Sequence, residues 1–251
     1  MAEVIIRIIL MVLMIILIIL ALFCILVMIS SLFIDADKIY MHNSSYYRFL
    51  LYTTTALTVI IGRIHIHKEG LETLDEAGIS SKGNKQRFLL VSNHRSNFDP
   101  ILTWHVLRGY DLAYLSKEEN MHIFSFGKII RKCCFMSIDR NDPKKAMKTL
   151  ITSSELIKND EVSIAIYPEG TRNRGEGLLP FHNGIFKVAK MADVPIVVMS
   201  IMGTEQIRHN FPLRKTDVNF KIIDVIDAER VKELKTSEIG EIVRNDLINN
   251  I

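Results

Sequence analysis

From Ile8 to Ile34 the chain carries no charged residue, and the run is nearly all Ile, Leu, Met, Val and Phe. Nothing else in the sequence restricts the fold as strongly. At 1.5 Å per residue these 27 positions make a helix of roughly 40 Å, longer than the ~30 Å hydrocarbon core of a bilayer. A cleaved signal peptide is the competing reading. Its apolar region is usually shorter and ends at a small-residue site, and nothing after Ser31 resembles A-x-A. A retained membrane helix is therefore expected. A second apolar run, Phe49 to Ile61, holds 13 residues and four threonines. It is short for a span and suits a re-entrant, interfacial or buried helix. The two segments suggest a membrane-seated hairpin over residues 1–62, connected through Asp35 to Arg48. Arg7 before the first helix, with Lys38 and Arg48 after it, gives the positive-inside rule little to orient the hairpin by.

In residues 1–62 Arg7, Lys38 and Arg48 balance Glu3, Asp35 and Asp37, so the whole formal charge of +3 belongs to residues 63–251. A mildly basic domain beside a membrane suits anionic headgroups or phosphate-bearing substrates, and equally an ordinary lysine-rich surface. Cys24 lies in the apolar run and Cys133 and Cys134 are adjacent, which is no disulfide framework. No CxxC or Cys/His spacing points to a metal site. These features suggest a reducing, cytoplasmic face.

After Gly62 short apolar runs alternate with helical stretches. Strands are expected at Arg63–Gly70, Arg87–Ser92, Asp111–Ser116, Cys134–Ile138, Ser163–Tyr167, Pro195–Ile201 and Val218–Ile226. The fifth and sixth are continuous apolar runs of the kind buried on both faces of a sheet. Helices are expected at Pro143–Lys158, opened by Asp142 and a proline, at Asn183–Met191 and at Ala228–Asn249. Lys82 to Lys85, with Gly83 and Asn84 at its centre, reads as a turn. The alternation predicts an α/β domain over 63–251, with a mostly parallel central sheet flanked by helices.

In such sheets ligands sit beyond the carboxyl ends of the strands. His94 and Asp99 follow the second strand, Lys117 the third, Asp139 and Arg140 the fourth, and Glu169, Gly170, Thr171 and Arg172 the fifth. Asp99 before Pro100 makes a good N-cap and N1 pair for a helix from Ile101 to Leu107. A turn can equally fold Asp99 back onto His94. A carboxylate accepting from one ring nitrogen fixes the tautomer and leaves the other free as a base. No G-x-S-x-G elbow and no cysteine beside a histidine offers a nucleophile, so the proton taken would come from a substrate hydroxyl. Arg172 offers a fork that matches phosphate oxygens, and Gly170 permits close backbone approach. Glu169 cannot face a phosphate directly at neutral pH, and suits orienting Arg172 or the loop's amides. Taken alone, Tyr167–Asn173 also fits a solvated surface turn.

Asn93-His94-x4-Asp99, Ser137-Ile138-Asp139-Arg140, Tyr167-Pro168-Glu169-Gly170-Thr171-Arg172 and Val194-Pro195-Ile196-Val197 stand in this order. They resemble the four motif blocks of the glycerolipid acyltransferases, most closely those acting on 1-acyl-glycerol-3-phosphate, over roughly Ile64 to Thr204. The resemblance implies acyl transfer from acyl-CoA or acyl-carrier protein to the sn-2 hydroxyl of lysophosphatidic acid, giving phosphatidic acid. It implies His94 as general base, Asp99 as its orienting partner, and Glu169, Gly170, Thr171 and Arg172 as the acceptor phosphate site, helped by Lys117 and Arg140. No metal or cofactor beyond the acyl donor is implied, and no nucleic-acid partner. A bacterial membrane enzyme, with its site on the cytoplasmic face, is the expectation. Transfer to glycerol-3-phosphate or another lysophospholipid, and hydrolysis of acyl thioesters or lipids, remain alternatives. Asn173 departs from the serine common after the arginine, Val198-Met199 stand where a second proline is common, and His182-Asn183-Gly184 replaces a commonly basic segment.

Overall fold

A computed structural model describes residues 1–79 and 86–251. The turn expected over Lys82–Lys85 lies outside the described residues. Helix α1 (Ala2–Leu32) is followed by α2 (Ser45–Ile61), β1 (Ile64–Glu69), α3 (Glu72–Glu76), β2 (Leu89–Ser92), α4 (Phe98–Val106), β3 (Leu112–Ser116), α5 (Glu118–Met121) and α6 (Phe126–Arg131). Then come β4 (Met136–Ser137), α7 (Pro143–Lys158), β5 (Ser163–Ile166), α8 (Lys187–Ala192), β6 (Ile196–Met202), α9 (Ile207–Asn210), β7 (Thr216–Ile226), α10 (Ala228–Glu233) and α11 (Thr236–Ile248). All seven expected strands form, in one sheet ordered β1-β7-β6-β2-β5-β3-β4. Strands β2 to β6 run parallel to one another, while β7 meets β6 antiparallel and carries β1 with it. The carboxyl ends of β2 to β6 therefore share one edge, and that of β1 lies at the other.

The period-two rule sorts the strand side chains into two cores. Leu89, Val91, Ile164 and Ile166 face α7, α8 and α11, where Leu156, Val188 and Val243 are fully covered. Leu90, Ala165, Val197 and Met199 face the opposite layer, with Leu51 of α2, Leu102 and Trp104 of α4 and Ile130 of α6. The apolar β5 and β6 runs are buried because both faces are roofed by helices. In β7 one face alone is covered, so Val218, Phe220 and Ile222 are buried and Asp217, Asn219 and Lys221 are not. His65 and His67 share the exposed face of β1, at 3.8 and 3.1 Å from Asp217 Oδ1.

The two N-terminal helices have different fates. Helix α1 is, among the described residues, the one helix long and apolar enough to cross a membrane, and its apolar side chains are exposed along its length. Helix α2 is docked on the domain through Arg48, which is 3 % exposed. Its guanidinium donates to Asn43 Oδ1 at 2.8 Å, to the Leu112 carbonyl at 2.9 Å and to that of Cys133 at 3.4 Å. A buried guanidinium needs such acceptors, since a lost partner leaves a desolvated charge. The end of α1 is tied to α2 by Ser30 and Tyr46 hydroxyls 2.7 Å apart and by Tyr47 Oη donating to the Ser30 carbonyl at 3.0 Å.

Three element boundaries differ from expectation. The helix expected over Ala228–Asn249 is broken at Leu234 and Lys235, whose backbones are extended (ψ 148° and 154°). Lys190 Nζ donates to the carbonyls of Val231, Lys232 and Leu234, drawing them out of the helical ladder. Glu238 then restarts the helix by accepting from Lys235 N at 2.6 Å. The segment from Asn183 begins as a 3-10 turn through Phe186 before α8. Asp99 is not the N-cap expected from the Asp-Pro pair: α4 starts at Phe98 with Asn97 flanking it. Asp142 does cap α7, accepting from Lys144 N at 2.9 Å and Lys145 N at 3.1 Å.

Candidate active site

Asp99 is released from capping because its carboxylate faces backwards, into the loop between β2 and α4. Its Oδ2 lies 2.7 Å from His94 Nδ1 and accepts from Arg95 N at 2.7 Å and Ser96 N at 2.8 Å. Its Oδ1 accepts from the Thr204 hydroxyl, which arrives from the carboxyl end of β6. Asp99 is fully buried, and the His94 side chain is 17 % exposed. A carboxylate ringed by three other donors is an acceptor toward the imidazole, so Nδ1 carries the hydrogen and Nε2 presents its lone pair. No hydrogen bond occupies Nε2 among the described residues.

The imidazole plane is fixed from a second direction. The Tyr167 ring stacks on His94, with centroids 4.0 Å apart and planes 9° from parallel. Tyr114 extends the stack beneath Tyr167 at 5.8 Å and 25°. Burial pushes both phenols above their ordinary range, so neither is a base near neutral pH. The hydroxyls of Thr103, Tyr114 and Tyr167 are buried and interact with one another.

The backbone on either side of His94 is held by the β5 loop. Glu169 is 3 % exposed. Its Oε1 accepts from His94 N and its Oε2 from Leu179 N, each at 2.9 Å. Asn173 N donates to the His94 carbonyl at 2.8 Å. Each Glu169 oxygen thus accepts from a backbone amide, the loop-orienting role its charge suited, which makes it a latch between two loops. Asn173 shapes its own loop, donating from Nδ2 to the Gly177 carbonyl at 2.7 Å and accepting from Gly175 N at 2.8 Å. Gly170 has φ +69°, and a Cβ there would meet His182 Cδ2 at 2.9 Å, so its lack of a side chain is required twice over.

A cavity of about 500 Å³ opens at this edge of the sheet, lined by His94, Lys117, Arg140, Gly170, Thr171 and Arg172. Four strand ends thus bring their polar residues to one space. Trp104, Phe126, Ile130 and Phe135 continue its wall with apolar surface, and Leu51 and Thr55 of α2 close it. Of the candidate residues, Glu169 and Asp99 stand behind the wall and the rest are on it. Sequence reasoning missed Thr204, the stacking role of Tyr167, and Asn93, whose side-chain amide exchanges two 2.8 Å hydrogen bonds with Ile201 of β6. His182 also lines the cavity, a place that its position just after Phe181, close behind the Gly170 loop, could have suggested. No group of three or more His, Cys, Asp or Glu side chains suited to a metal occurs among the described residues.

A family model described as Acyltransferase matches residues 65–202. The chain is 28 % identical over 154 residues to a 1-acyl-sn-glycerol-3-phosphate acyltransferase of Salmonella typhimurium, covering 61 % of each chain. It is 32 % identical over 142 residues to the Haemophilus influenzae protein of the same name, covering 56 % of this chain and 57 % of that one. The chain therefore spans about three fifths of the length of these relatives. A crystal structure titled as the 1-acyl-sn-glycerophosphate (LPA) acyltransferase PlsC from Thermotoga maritima superposes with a TM-score of 0.60. It is 22 % identical, with 88 % of this chain and 86 % of that one covered, and carries the same fold.

Proposed function

The chain belongs to the acyltransferase family, and we propose that it transfers an acyl group from acyl-CoA or acyl-carrier protein to the sn-2 hydroxyl of 1-acyl-glycerol-3-phosphate, making phosphatidic acid. The observation that carries this reading is the His94–Asp99 contact of 2.7 Å with Nε2 open to a cavity ringed by cations. Nε2 takes the proton of the acceptor hydroxyl as that oxygen attacks the thioester carbonyl. A C–O bond forms, the C–S bond breaks, and the departing thiolate recovers the proton from the imidazolium. Asp99 orients the ring throughout and faces its charge at closest approach. Positioned proton transfer of this kind contributes about 10²–10⁴-fold to rate.

Arg172, Arg140 and Lys117 are the groups proposed to hold the acceptor phosphate, with the Gly170–Thr171 backbone beside them. Arg172 presents a planar fork and Lys117 a point charge, a combination suited to a phosphate monoester. The apolar wall of Trp104, Phe126 and Phe135 suits an acyl chain. Two further features support a membrane-seated enzyme acting at the cytoplasmic face: the uncovered apolar length of α1, and three cysteines that are all free. The names of the Salmonella and Haemophilus relatives support the same acceptor.

The test uses detergent-purified protein with labelled acyl-CoA or acyl-carrier protein, and lysophosphatidic acid, glycerol-3-phosphate or no acceptor. Phosphatidic acid formed with lysophosphatidic acid alone is the expected product by mass spectrometry. Free fatty acid in every tube would make water the nucleophile and the proposal wrong.

A further inference from the structure

A second cavity lies beside the catalytic one and takes no part in the chemistry above. It has a volume of about 430 Å³ and opens between the end of α1 and the α5–α6 turn. Ile25, Met28 and Leu32 form one wall, and Phe124, Ser125 and Lys128 the other. Ile123 lines both this cavity and the catalytic one.

Its depth follows from α1. Ile25 to Leu32 covers about 10 Å of helix, and the first charged residue after the apolar run is Asp35. A helix leaving a bilayer there sets the cavity between the headgroups and the upper acyl chains, the ~5–10 Å layer where amphipathic elements lie. The facing turn is shaped for that layer. Phe126 N bonds back to the Phe124 carbonyl around Ser125, at φ 53° and ψ −48°, a γ-turn of the rare hand. Serine holds this strained backbone only where its surroundings enforce it. One restraint is visible: Ser31 Oγ of α1 donates to Ser125 Oγ at 3.1 Å. The result is a Phe124 side chain 78 % exposed beside Leu32, itself 74 % exposed. In water that pairing is unfavourable, and against lipid it is not.

Charge identifies the ligand. Residues 117–132 hold Lys117, Lys128, Arg131 and Lys132 against Glu118 and Glu119. Glu118 is engaged by His122 at 3.2 Å and Arg131 at 3.8 Å. Lys128, on the cavity wall, forms no ion pair among the described residues. We infer that this cavity is a binding site for one anionic monoacyl phospholipid drawn from the bilayer, its chain along Ile25, Met28 and Phe124 and its phosphate at Lys128, from which the headgroup passes Ile123 into the catalytic cavity. The occupant as a monoacyl acceptor rests on the proposed function; occupancy by an anionic lipid does not.

The full-length protein in phosphatidylcholine vesicles is irradiated with a lysophosphatidic acid bearing a diazirine in its chain, and the adducts are mapped by peptide mass spectrometry. Adducts concentrated on residues 25–32 and 121–128, displaced by unlabelled lysophosphatidic acid but not by lysophosphatidylcholine or inorganic phosphate, are expected. The Phe124→Ser/Lys128→Glu variant should lose about tenfold of this labelling. Adducts spread evenly along α1, or unchanged in the variant, would overturn the site. With turnover as readout, the variant should raise the KM for vesicle-borne acceptor about tenfold and leave a soluble short-chain acceptor unaffected. An equal loss with both acceptors would also overturn it. A parent enzyme that labels as expected yet acylates neither acceptor would refute the proposed reaction and leave the lipid site standing.

Discussion

Glu169→Gln tests the carboxylate as a holder of loop amides against the place in the acceptor phosphate site that the family resemblance implies. Each Glu169 oxygen accepts a 2.9 Å hydrogen bond from a backbone N–H, one from His94 and one from Leu179. A glutamine is nearly the same size but offers one oxygen, so at one end an NH2 group confronts an N–H. Hydrogen bonds to a charged group contribute about 1.5–3 kcal/mol each, and a buried amide left without an acceptor costs about 1–3 kcal/mol more. Losing one bond and weakening the other gives about 3 kcal/mol in all. For a domain of this size, about 2–4 °C per kcal/mol converts this to a fall in Tm of roughly 6–12 °C. The assay is thermal unfolding of the detergent-solubilised protein by near-ultraviolet circular dichroism, beside kcat and KM for the acceptor. Because the latch holds the backbone of His94, kcat should fall while the acceptor KM moves little. If Glu169 instead faced the phosphate, removing its charge would lower the KM and leave Tm within about 1 °C of the parent. That pair of results would refute the latch.

Other perturbations probe the rest of the site. His94→Ala should reduce turnover by about 10²–10⁴-fold with an unchanged far-ultraviolet spectrum; retained activity would dismiss the base. Tyr167→Phe keeps the ring over His94 and removes a hydroxyl that faces only those of Tyr114 and Thr103, so activity should stay close to the parent, whereas Tyr167→Leu should lower kcat about tenfold with little change in KM. Asp246 has its pKa raised by burial and by Asp224, and its Oδ2 has no hydrogen-bond partner among the described residues. A carboxyl raised in the folded state favours folding while protonated, and that advantage is lost as pH climbs through the raised value. Asp246→Asn should therefore raise Tm at pH 7 and make no difference below the ordinary aspartate range, as pH-resolved thermal unfolding would record.

The strands were legible because each is a short apolar run whose period and length follow from being roofed by helices on one or both faces. Helix α7 was legible from Asp142 and Pro143, a purely local cap. The break between α10 and α11 was not, because the group that pulls the carbonyls out is Lys190, on another helix. Likewise the Asp99-Pro100 pair is a good local start signal, but the carboxylate forms stronger contacts in the opposite direction.

By itself the sequence determined the residue chemistry: an apolar N-terminal helix, an α/β layer, and polar groups following strands whose ends converge when those strands run parallel. Tertiary structure alone decided which of these groups touch. Thr204 lies 105 positions beyond Asp99 and meets it because β6 is parallel to β2 and ends at the same edge. Tyr167 lies over His94 because β5 flanks β2 on the other side. Glu169 was drawn inward because two backbone amides, those of His94 and Leu179, converge on its carboxylate. Local pattern fixes what a segment can do, and strand order, which depends on contacts far apart in the chain, fixes what it does it to.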